Sequence, residues 1–540
     1  MLRHYVFFIC CSLLSLVACS EASNEMENSN DNTMEQPSDP DEIINDQHLA
    51  EGLFYPKGKE LKVLCTINNS VLTDNQRVCI STLQGLAAKM SGEQIYIEEG
   101  GASTVWKNHL NTSYGVEIKE FGSFEELVAY FCKAIDIQGY VLYNKLRNSR
   151  SLTAAVALCG PLKAVAVDKP LEKEINSLGI TTCLMDVSDR DEKWVFKKYK
   201  STFYKKFAAE LSPDIKFHLR DYVTLTNCFI FYDGLTYWRN SVLQDIQTGG
   251  VCLGGGLDEF KMIKNATEQG IPFVGTDMAP NLATLSSIYN TEGLCQPRSD
   301  EEAVEEENVH YVTFMLTDGD NVSYDYWTMY DIYSDPIRGS FPVGYTISPS
   351  LYDLAPSVLN WYYQHKTVND YFVCAPSGLG YTFPTLFPQD KIDGYLEQCN
   401  KMAKATGLHI FNVIDSGGVN NMDLWEKYLQ QPDIDAIFYT GFAEPSNGTI
   451  KLASNGKPVI EAGDLLWGGL SEESDLIERI NAKPANPKVQ EGYTLVVVHV
   501  WSKGFKNMKT VVDGLNKNVK VVTPEMFVKL IKKNLGSVNK

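Results

Sequence analysis

Short apolar segments alternate with helical patterns through the C-terminal part of the sequence, and this alternation limits the possible folds more than any other feature. Eight strand candidates occur after residue 309: HYVTFMLT, PVGYTI, YFVCA, LHIFNVI, DAIFYT, KPVIEA, YTLVVVHV and VKVVT. Helical patterns lie between many of them, although those after the first two strands are weak. The clearest are QDKIDGYLEQCNKMAKAT, NMDLWEKYLQ, SEESDLIERINA and TPEMFVKLIKKNL. Eight strands with intervening helices predict a TIM-like (β/α)8 barrel.

The preceding region, residues 51–298, also alternates between strands and helices. Its strand candidates are LKVLCTI, QIYIEE, GYVLY, LKAVAV, TTCLMDV, FIFYDG and IPFVGTD. They predict a series of α/β units. The glycine-dense segment 249–259 has neither GxGxxG spacing nor a GK[ST] ending, so we interpret it as a close-packed loop rather than a nucleotide cradle. An acidic run at 299–308 separates this region from the predicted barrel, which we assign to residues 299–540.

The first 50 residues predict export and lipid anchoring. A basic start and an apolar run too short to span a bilayer comfortably are typical of a signal peptide over residues 1–19. Its end, LVAC, resembles the bacterial lipobox, which implies that Cys19 is lipidated. Residues 20–50 carry acidic and no basic side chains and read as a disordered tether. The serine after Cys19 favours the outer membrane of a Gram-negative cell, with the protein on its periplasmic or cell-surface side.

Charge and cysteine content exclude several classes of protein. The net charge of −20 would repel a phosphate backbone, so we expect no nucleic-acid partner. Ten cysteines remain after the signal and anchor region, and most lie in apolar runs such as KVLCTI and YFVCA, where cysteine usually acts as a small buried hydrophobe. No CxxC pair is present, so the sequence supports neither a zinc ribbon nor a thioredoxin motif.

The residues after each strand form the face on which such barrels carry their chemistry, and they are therefore the candidate site. The predicted catalytic residues are Asp318, Asp320, Asp415 and Glu444. The predicted substrate-binding residues are Asn321, Gly378, Gly380, Tyr381, Phe383, Glu461, Asp464, Trp467, His499 and Trp501. Carboxylates beside aromatic rings suit a sugar, whose apolar face stacks on a ring while its hydroxyls bind acids and amides. We expect no cofactor, although Asp318 and Asp320 could also hold a divalent ion.

One loop of this face carries a family signature. Residues 376–384 read PSGLGYTFP, which resembles the motif of the GxGYxYP family of predicted glycoside hydrolases. Phe383 keeps the second ring of the motif but lacks its hydroxyl. The resemblance covers about residues 55–540, including LTDGDN and TPEMFVKLI. It implies an α/β N-terminal region, a barrel-like catalytic domain, and a polysaccharide or oligosaccharide substrate.

The resulting hypothesis is a glycoside hydrolase in which one carboxyl group protonates the leaving oxygen while another activates water or attacks the sugar. Each residue also has a structural interpretation: a turn for Asp318 and Asp320, helix caps for Asp415 and Glu444, packing for Tyr381 and Phe383, and a core position for His499. Two other functions remain open, a surface glycan-binding protein and a polysaccharide deacetylase. No histidine has a partner four residues away, which disfavours the HxxxH ligand pair of the deacetylase.

Overall fold

The computed structural model describes residues 49–304, 306–317, 321–442 and 447–536. They form a mixed α/β protein in which three small parallel sheets precede one large sheet. Among these residues, no helix has both the length and the apolar character needed to cross a bilayer.

The N-terminal half contains a short antiparallel pair and then three sheets with their own helices. The pair is β1 (Ala50–Glu51) and β2 (Pro56–Lys57). The first sheet unit contains β3 (Val63–Asn68), α1 (Asp74–Met90), β4 (Glu93–Glu98), α2 (Ala102–Tyr114), β5 (Glu117–Phe121) and α3 (Phe124–Ala134). The second contains β6 (Gly139–Tyr143), α4 (Arg150–Leu162), β7 (Ala164–Asp168), α5 (Glu172–Ser177), β8 (Cys183–Asp186) and α6 (Glu192–Tyr199).

The third unit, called here the third domain, has a four-stranded sheet in the order β10-β9-β11-β12. It contains β9 (Tyr204–Glu210), α7 (Arg220–Thr226), β10 (Cys228–Phe231), α8 (Tyr237–Asp245), β11 (Val251–Gly254), α9 (Glu259–Glu268), β12 (Phe273–Gly275) and α10 (Leu282–Leu285). Strand β11 lies inside the glycine-dense segment that we interpreted as a loop. The loop itself begins at Gly254, where an added Cβ would lie 1.9 Å from the Glu210 carbonyl oxygen.

The C-terminal region alternates strands and helices, as its sequence predicts. Its elements are β13 (His310–Thr317), α11 (Val322–Tyr326), α12 (Thr328–Tyr333), β14 (Val343–Ile347), α13 (Leu351–Leu354), α14 (Pro356–Gln364), β15 (Asp370–Cys374), α15 (Ile392–Thr406), β16 (Ile410–Asp415), α16 (Met422–Leu429), β17 (Ala436–Gly441), β18 (Ile450–Leu452), β19 (Pro458–Glu461), β20 (Asp464–Leu466), α17 (Glu473–Asn481), β21 (Tyr493–His499), α18 (Phe505–Gly514), β22 (Val519–Val521) and α19 (Pro524–Leu535). All eight predicted strands are present, and the short strands β18 and β20 are additional.

These strands form one strongly curled sheet. The order is β18-β19-β17-β16-β15-β14-β13-β21-β20, with β22 attached to β13. Strands β19 and β20 are separated by only two residues, yet they pair at opposite ends of this order. The transition is visible in the backbone, because Ala462 N donates to Tyr439 O and Gly463 N donates to Leu495 O.

The hydrogen bonding does not show the eight-stranded barrel that the sequence predicts. In such a barrel, the eighth strand would lie between the seventh and the first. Here β21 pairs directly with seven residues of β13. Strand β22 pairs only with residues 310–312 of β13, and Tyr311 has partners in both β21 and β22, so the two strands lie on opposite edges of β13. Because β21 already occupies one edge of β13, β22 cannot lie between β21 and β13 as the eighth strand of a barrel would.

One face of the curled sheet packs on the last helix. Tyr311, Tyr371 and Tyr493, near the starts of β13, β15 and β21, belong to one buried cluster with Phe527 and Ile531 of α19. The last helix therefore shares a hydrophobic core with this face of the sheet.

Candidate functional site

The ends of β13 and β21 bring polar and aromatic side chains together. Thr317 and His499 are partners in the last register position of these strands. Trp467, directly after β20, stacks on His499 with the ring centroids 3.7 Å apart and the planes nearly parallel. His499 Nδ1 lies 2.9 Å from Ser502 Oγ, which also accepts a hydrogen bond from Gly468 N. The His499 ring is thus held from one side by an indole and along its edge by a hydroxyl.

A second aromatic group lies beside this stack. The Trp501 side chain is 57% exposed, and its ring meets the Tyr324 ring edge-on at 6.0 Å. Asn321 begins helix α11, and its side chain accepts the Tyr324 backbone N–H. We call the group formed by Thr317, Asn321, Trp467, His499 and Trp501 the strand-end site.

The third domain meets the strand-end site directly. Gly275, at the end of β12, pairs with Asn321 in an isolated parallel bridge. Just beyond this bridge, the Ser323 hydroxyl accepts a hydrogen bond from Met278 N at 3.0 Å and donates one to Asp277 Oδ1 at 3.4 Å. Asp277 is therefore held beside the first residues of α11, next to the strand-end site.

The environment of Asp277 favours its neutral form. Burial raises the pKa of this carboxyl above its ordinary value, and hydrogen bonds from Ser323 and the adjacent backbone offset part of the rise. A Cβ at Gly255 would lie 2.5 Å from Asp277 Oδ2, so only glycine there leaves room for the carboxylate. Sequence reasoning missed Asp277 because we read IPFVGTD only as a strand. In the C-terminal half, an aspartate that closely follows a strand identified the candidate acids. The same pattern in IPFVGTD would have identified Asp277.

The loop after β15 faces the third domain rather than open solvent. Phe273 and Tyr381 exchange two backbone hydrogen bonds of 3.0 and 2.7 Å, and the Tyr381 hydroxyl donates to Glu259 Oε1 at 3.0 Å. The Phe383 ring is 0% exposed and packs between Phe260 and Phe442. The prediction that Tyr381 and Phe383 offer stacking faces to a sugar is therefore wrong, because both rings are already covered by protein.

The two glycines of this loop are required by close packing. Gly378 has a φ of +125°, and a Cβ there would lie 2.5 Å from Cys399 Sγ. A Cβ at Gly380 would lie 2.9 Å from the Phe273 carbonyl oxygen. Close packing thus accounts for both glycines, and their role in substrate binding stays a prediction.

Three of the predicted acids are bound by other parts of the chain. Asp415 is fully buried and accepts hydrogen bonds from Thr385 N, Thr385 Oγ1 and Gly417 N at 2.8 to 3.1 Å. It holds the loop after β15 and is not available as a catalytic acid. Asp464 forms 2.7 Å ion pairs with Arg479 and Lys483, and buried Glu461 accepts a hydrogen bond from Thr449 N. These contacts correct the prediction that the two residues bind substrate.

Other predicted residues, Asp318, Asp320, Glu444 and Cys19, lie outside the described residues. Their assigned roles therefore stay predictions. The described residues contain no group of three or more His, Cys, Asp or Glu side chains arranged to hold a metal ion. This leaves the ion suggested for Asp318 and Asp320 untested.

Four family models match successive parts of the chain. They are the first, second and third GxGYxYP N-terminal domains over residues 62–133, 137–203 and 205–287, and the "GxGYxYP putative glycoside hydrolase C-terminal domain" over residues 308–532. The chain belongs to the GxGYxYP family. In this member, the signature loop of the family lies at the junction between the third and C-terminal domains.

The chain is also similar to a protein of solved structure. That protein is described as "a putative hydrolase from Bacteroides thetaiotaomicron VPI-5482", with 44% sequence identity and a TM-score of 0.89. The match covers 91% of this chain and 99% of the other. No curated protein matches the chain.

Proposed function

We propose that this GxGYxYP protein is a glycoside hydrolase and that its substrate binds at the strand-end site. The observation that carries the proposal is the pair of aromatic groups there, exposed Trp501 and the Trp467–His499 stack, beside the polar Asn321. A pyranose ring can stack on an indole while its hydroxyls bind the neighbouring polar groups. The description of the family and the name of the similar solved protein favour the same reaction class.

The proposed chemistry uses two carboxyl groups on either side of the glycosidic bond. One protonates the leaving oxygen and the other activates water or attacks the sugar. We assign one of them to Asp318 or Asp320, which lie between Thr317 and Asn321 in the sequence. Because Asp415 is buried in a structural contact, it is no longer a candidate for the second group.

Incubation of the purified protein with a panel of polysaccharides, followed by measurement of new reducing ends, tests the reaction. On a cleaved substrate, we expect Asp318→Asn to lose at least about a hundredfold in turnover, with an unchanged melting temperature. Glycan binding without cleavage of any polysaccharide would contradict the proposal and indicate a surface glycan-binding protein.

Substitution of Trp501 tests the location of the site. Trp501→Ala should raise KM about fivefold to tenfold, because it removes a stacking contact on the order of 1 kcal/mol. The control is Tyr237→Ala, which removes a 93% exposed ring from α8 of the third domain and should leave KM unchanged. Equal effects of the two substitutions would argue against the strand-end site.

We also propose that the protein is an outer-membrane lipoprotein anchored through Cys19. The support is the signal-like segment, the lipobox-like LVAC and the acidic stretch that follows. Cys19→Ser should abolish labelling by radioactive fatty acid and release the protein from membranes. Unchanged labelling and membrane fractionation in this variant would contradict the anchor.

A further inference from the structure

Asp277 of the third domain lies beside the first residues of α11, which follow Asn321 of the strand-end site. It follows β12 by two residues, and the Gly275–Asn321 bridge fixes the end of β12 against the start of α11. The Trp327 indole N–H donates to Met278 O at 2.9 Å, which adds a second attachment one residue beyond Asp277. The carboxylate is thus positioned by the C-terminal domain although it belongs to another domain.

The immediate contacts of Asp277 are compatible with a role as a proton donor. Unlike Asp464, Asp277 has no Lys or Arg ion pair among the described residues. The charged neighbour that acts on it is His218, which offsets part of the rise that burial causes in the pKa of Asp277. Among the described residues of the C-terminal domain, Ser323 donates the one hydrogen bond to the Asp277 side chain, at 3.4 Å. Asp277 is half-buried, whereas Asp415 is fully buried. A half-buried carboxyl group whose pKa is raised, and which makes only a weak hydroxyl contact, is suited to the role of a proton donor.

We propose that Asp277 is the general acid of the hydrolysis, supplied to the strand-end site by the third domain; this inference rests on the proposed function. The Asp277 carboxyl proton moves to the glycosidic oxygen while the bond from that oxygen to the anomeric carbon breaks, and the bonding electrons leave with the oxygen. Water adds to the anomeric carbon, and its proton passes to the carboxylate from the C-terminal domain. The carboxyl group of the C-terminal domain then releases this proton to solvent, and Asp277 takes up one proton from solvent, so that both groups return to their starting state.

The position of Asp277 gives the N-terminal half a direct role in the reaction. The active site would be completed only when the third domain is seated on the C-terminal sheet. The contacts between Phe273 and Tyr381 and between Tyr381 and Glu259 hold that arrangement. The signature loop would then position the domain that carries the acid, without contacting the substrate itself.

Two substrates that differ only in their leaving group test the role of Asp277 in the full-length protein. We would use an aryl glycoside of the sugar identified in the panel, with phenol and with 2,4-dinitrophenol as leaving groups. Phenol needs a proton to depart, whereas dinitrophenolate does not. Asp277→Asn should lower kcat for the phenyl glycoside at least about a hundredfold and change that for the dinitrophenyl glycoside less than about fivefold.

The matched control is Asp168→Asn. Asp168 is also an aspartate at a strand end whose pKa is raised by burial, but it lies in the second sheet unit. Asp168→Asn should change kcat for neither the phenyl nor the dinitrophenyl glycoside. Glu444→Gln provides the comparison for a rival acid from the C-terminal domain, and melting temperatures and glycan affinity verify that each variant is folded.

The possible outcomes separate the two proposals. An unsubstituted protein that cleaves neither aryl glycoside nor polysaccharide would overturn the proposed function, and the role of Asp277 with it. If the unsubstituted protein is active, equal losses on both substrates, or no loss, in Asp277→Asn would overturn the inference alone. The leaving-group pattern appearing in Glu444→Gln instead would assign the acid to the C-terminal domain.

Discussion

At the scale of single residues, the chemistry of a carboxyl group depends on what surrounds it. Asp415 accepts hydrogen bonds from the loops after β15 and β16, and Asp464 is paired with two cations. Asp221 of α7 is fully buried, and its Oδ1 has no hydrogen-bond partner among the described residues. Burial raises the pKa of Asp221 to about 7. An aspartate side chain can thus hold a loop in place, form ion pairs or stay buried with a raised pKa, depending on its surroundings.

The raised pKa of Asp221 predicts a loss of stability with rising pH. Its folded pKa lies above the unfolded value, so the folded state keeps a proton that the unfolded state releases. The contribution is therefore fully favourable below about pH 4 and is lost as the pH rises to about 7. Between pH 5 and pH 8, the free energy of unfolding should fall by roughly 2–3 kcal/mol through this group.

Asp221→Asn should remove this component, because the amide stays neutral and its oxygen can still accept the Ala283 N–H that Asp221 accepts at 2.8 Å. Denaturant unfolding at pH 5 and pH 8 measures the difference. Asp513→Asn, at an exposed position of α18, is the control. If the free energy of unfolding changes equally between the two pH values in wild type and Asp221→Asn, burial does not raise the pKa of this carboxyl group as described.

At the scale of elements, the loop after β15 shows how a partner domain dictates local conformation. Gly380 allows the backbone to approach Phe273 of β12, and Phe383 N donates to Thr267 Oγ1 of α9. Glycine is needed here because of the neighbouring strand and not because of a turn. The rings of the loop then fill the space between the two domains.

Two glycine substitutions test this interpretation. Gly380→Ala should lower the free energy of unfolding by about 1–3 kcal/mol, because the new methyl group forces the Phe273 carbonyl away from the loop. Gly394→Ala, within α15, meets no other atom within 4 Å and should raise it by about 0.5–1 kcal/mol, since alanine favours a helix. Thermal unfolding measures both. A stabilising Gly380→Ala would contradict the close docking of the third domain.

At the scale of the whole molecule, one carboxylate connects residues 53–55 to the C-terminal region by hydrogen bonds. Asp353, buried in α13, accepts hydrogen bonds from the backbone N–H groups of Leu53, Phe54 and Tyr55 at 2.6 to 3.0 Å. Tyr55 in turn stacks on Phe207 of the third domain at 5.3 Å. The segment therefore contacts both the third domain and the C-terminal domain, at residues about 150 and 300 positions further along the chain.

Asp353→Ala should lower the free energy of unfolding by about 3–5 kcal/mol, because it leaves buried backbone donors and nearby Lys57 without their acceptor. Limited proteolysis should also cut within residues 50–57 before the rest of the body. The control is Asp393→Ala, at an exposed position of α15. Resistance of residues 50–57 to protease in Asp353→Ala would show that other contacts hold this segment.

Much of the secondary structure was predictable from local patterns. The strands of the C-terminal region appear where apolar runs end in polar or glycine residues, and the helices α15, α16, α17 and α19 lie within the predicted patterns. Four cysteines in apolar runs, Cys65, Cys159, Cys228 and Cys374, are buried as expected. The strands β5, β9 and β11 were missed. The first has a largely exposed, charged sequence and the others lie beside glycine or lysine residues.

By itself, the sequence determined the α/β class, most elements and the family, because these depend on hydrophobic period, turn residues and a local motif. Tertiary structure alone decided the strand order of the curled sheet and the surroundings of each strand-end residue. It buried Phe383 and Asp415 and brought Asp277 next to Ser323, 46 positions away. The reason is physical: burial, hydrogen-bond partners and pKa depend on contacts between distant segments, and no local pattern encodes them.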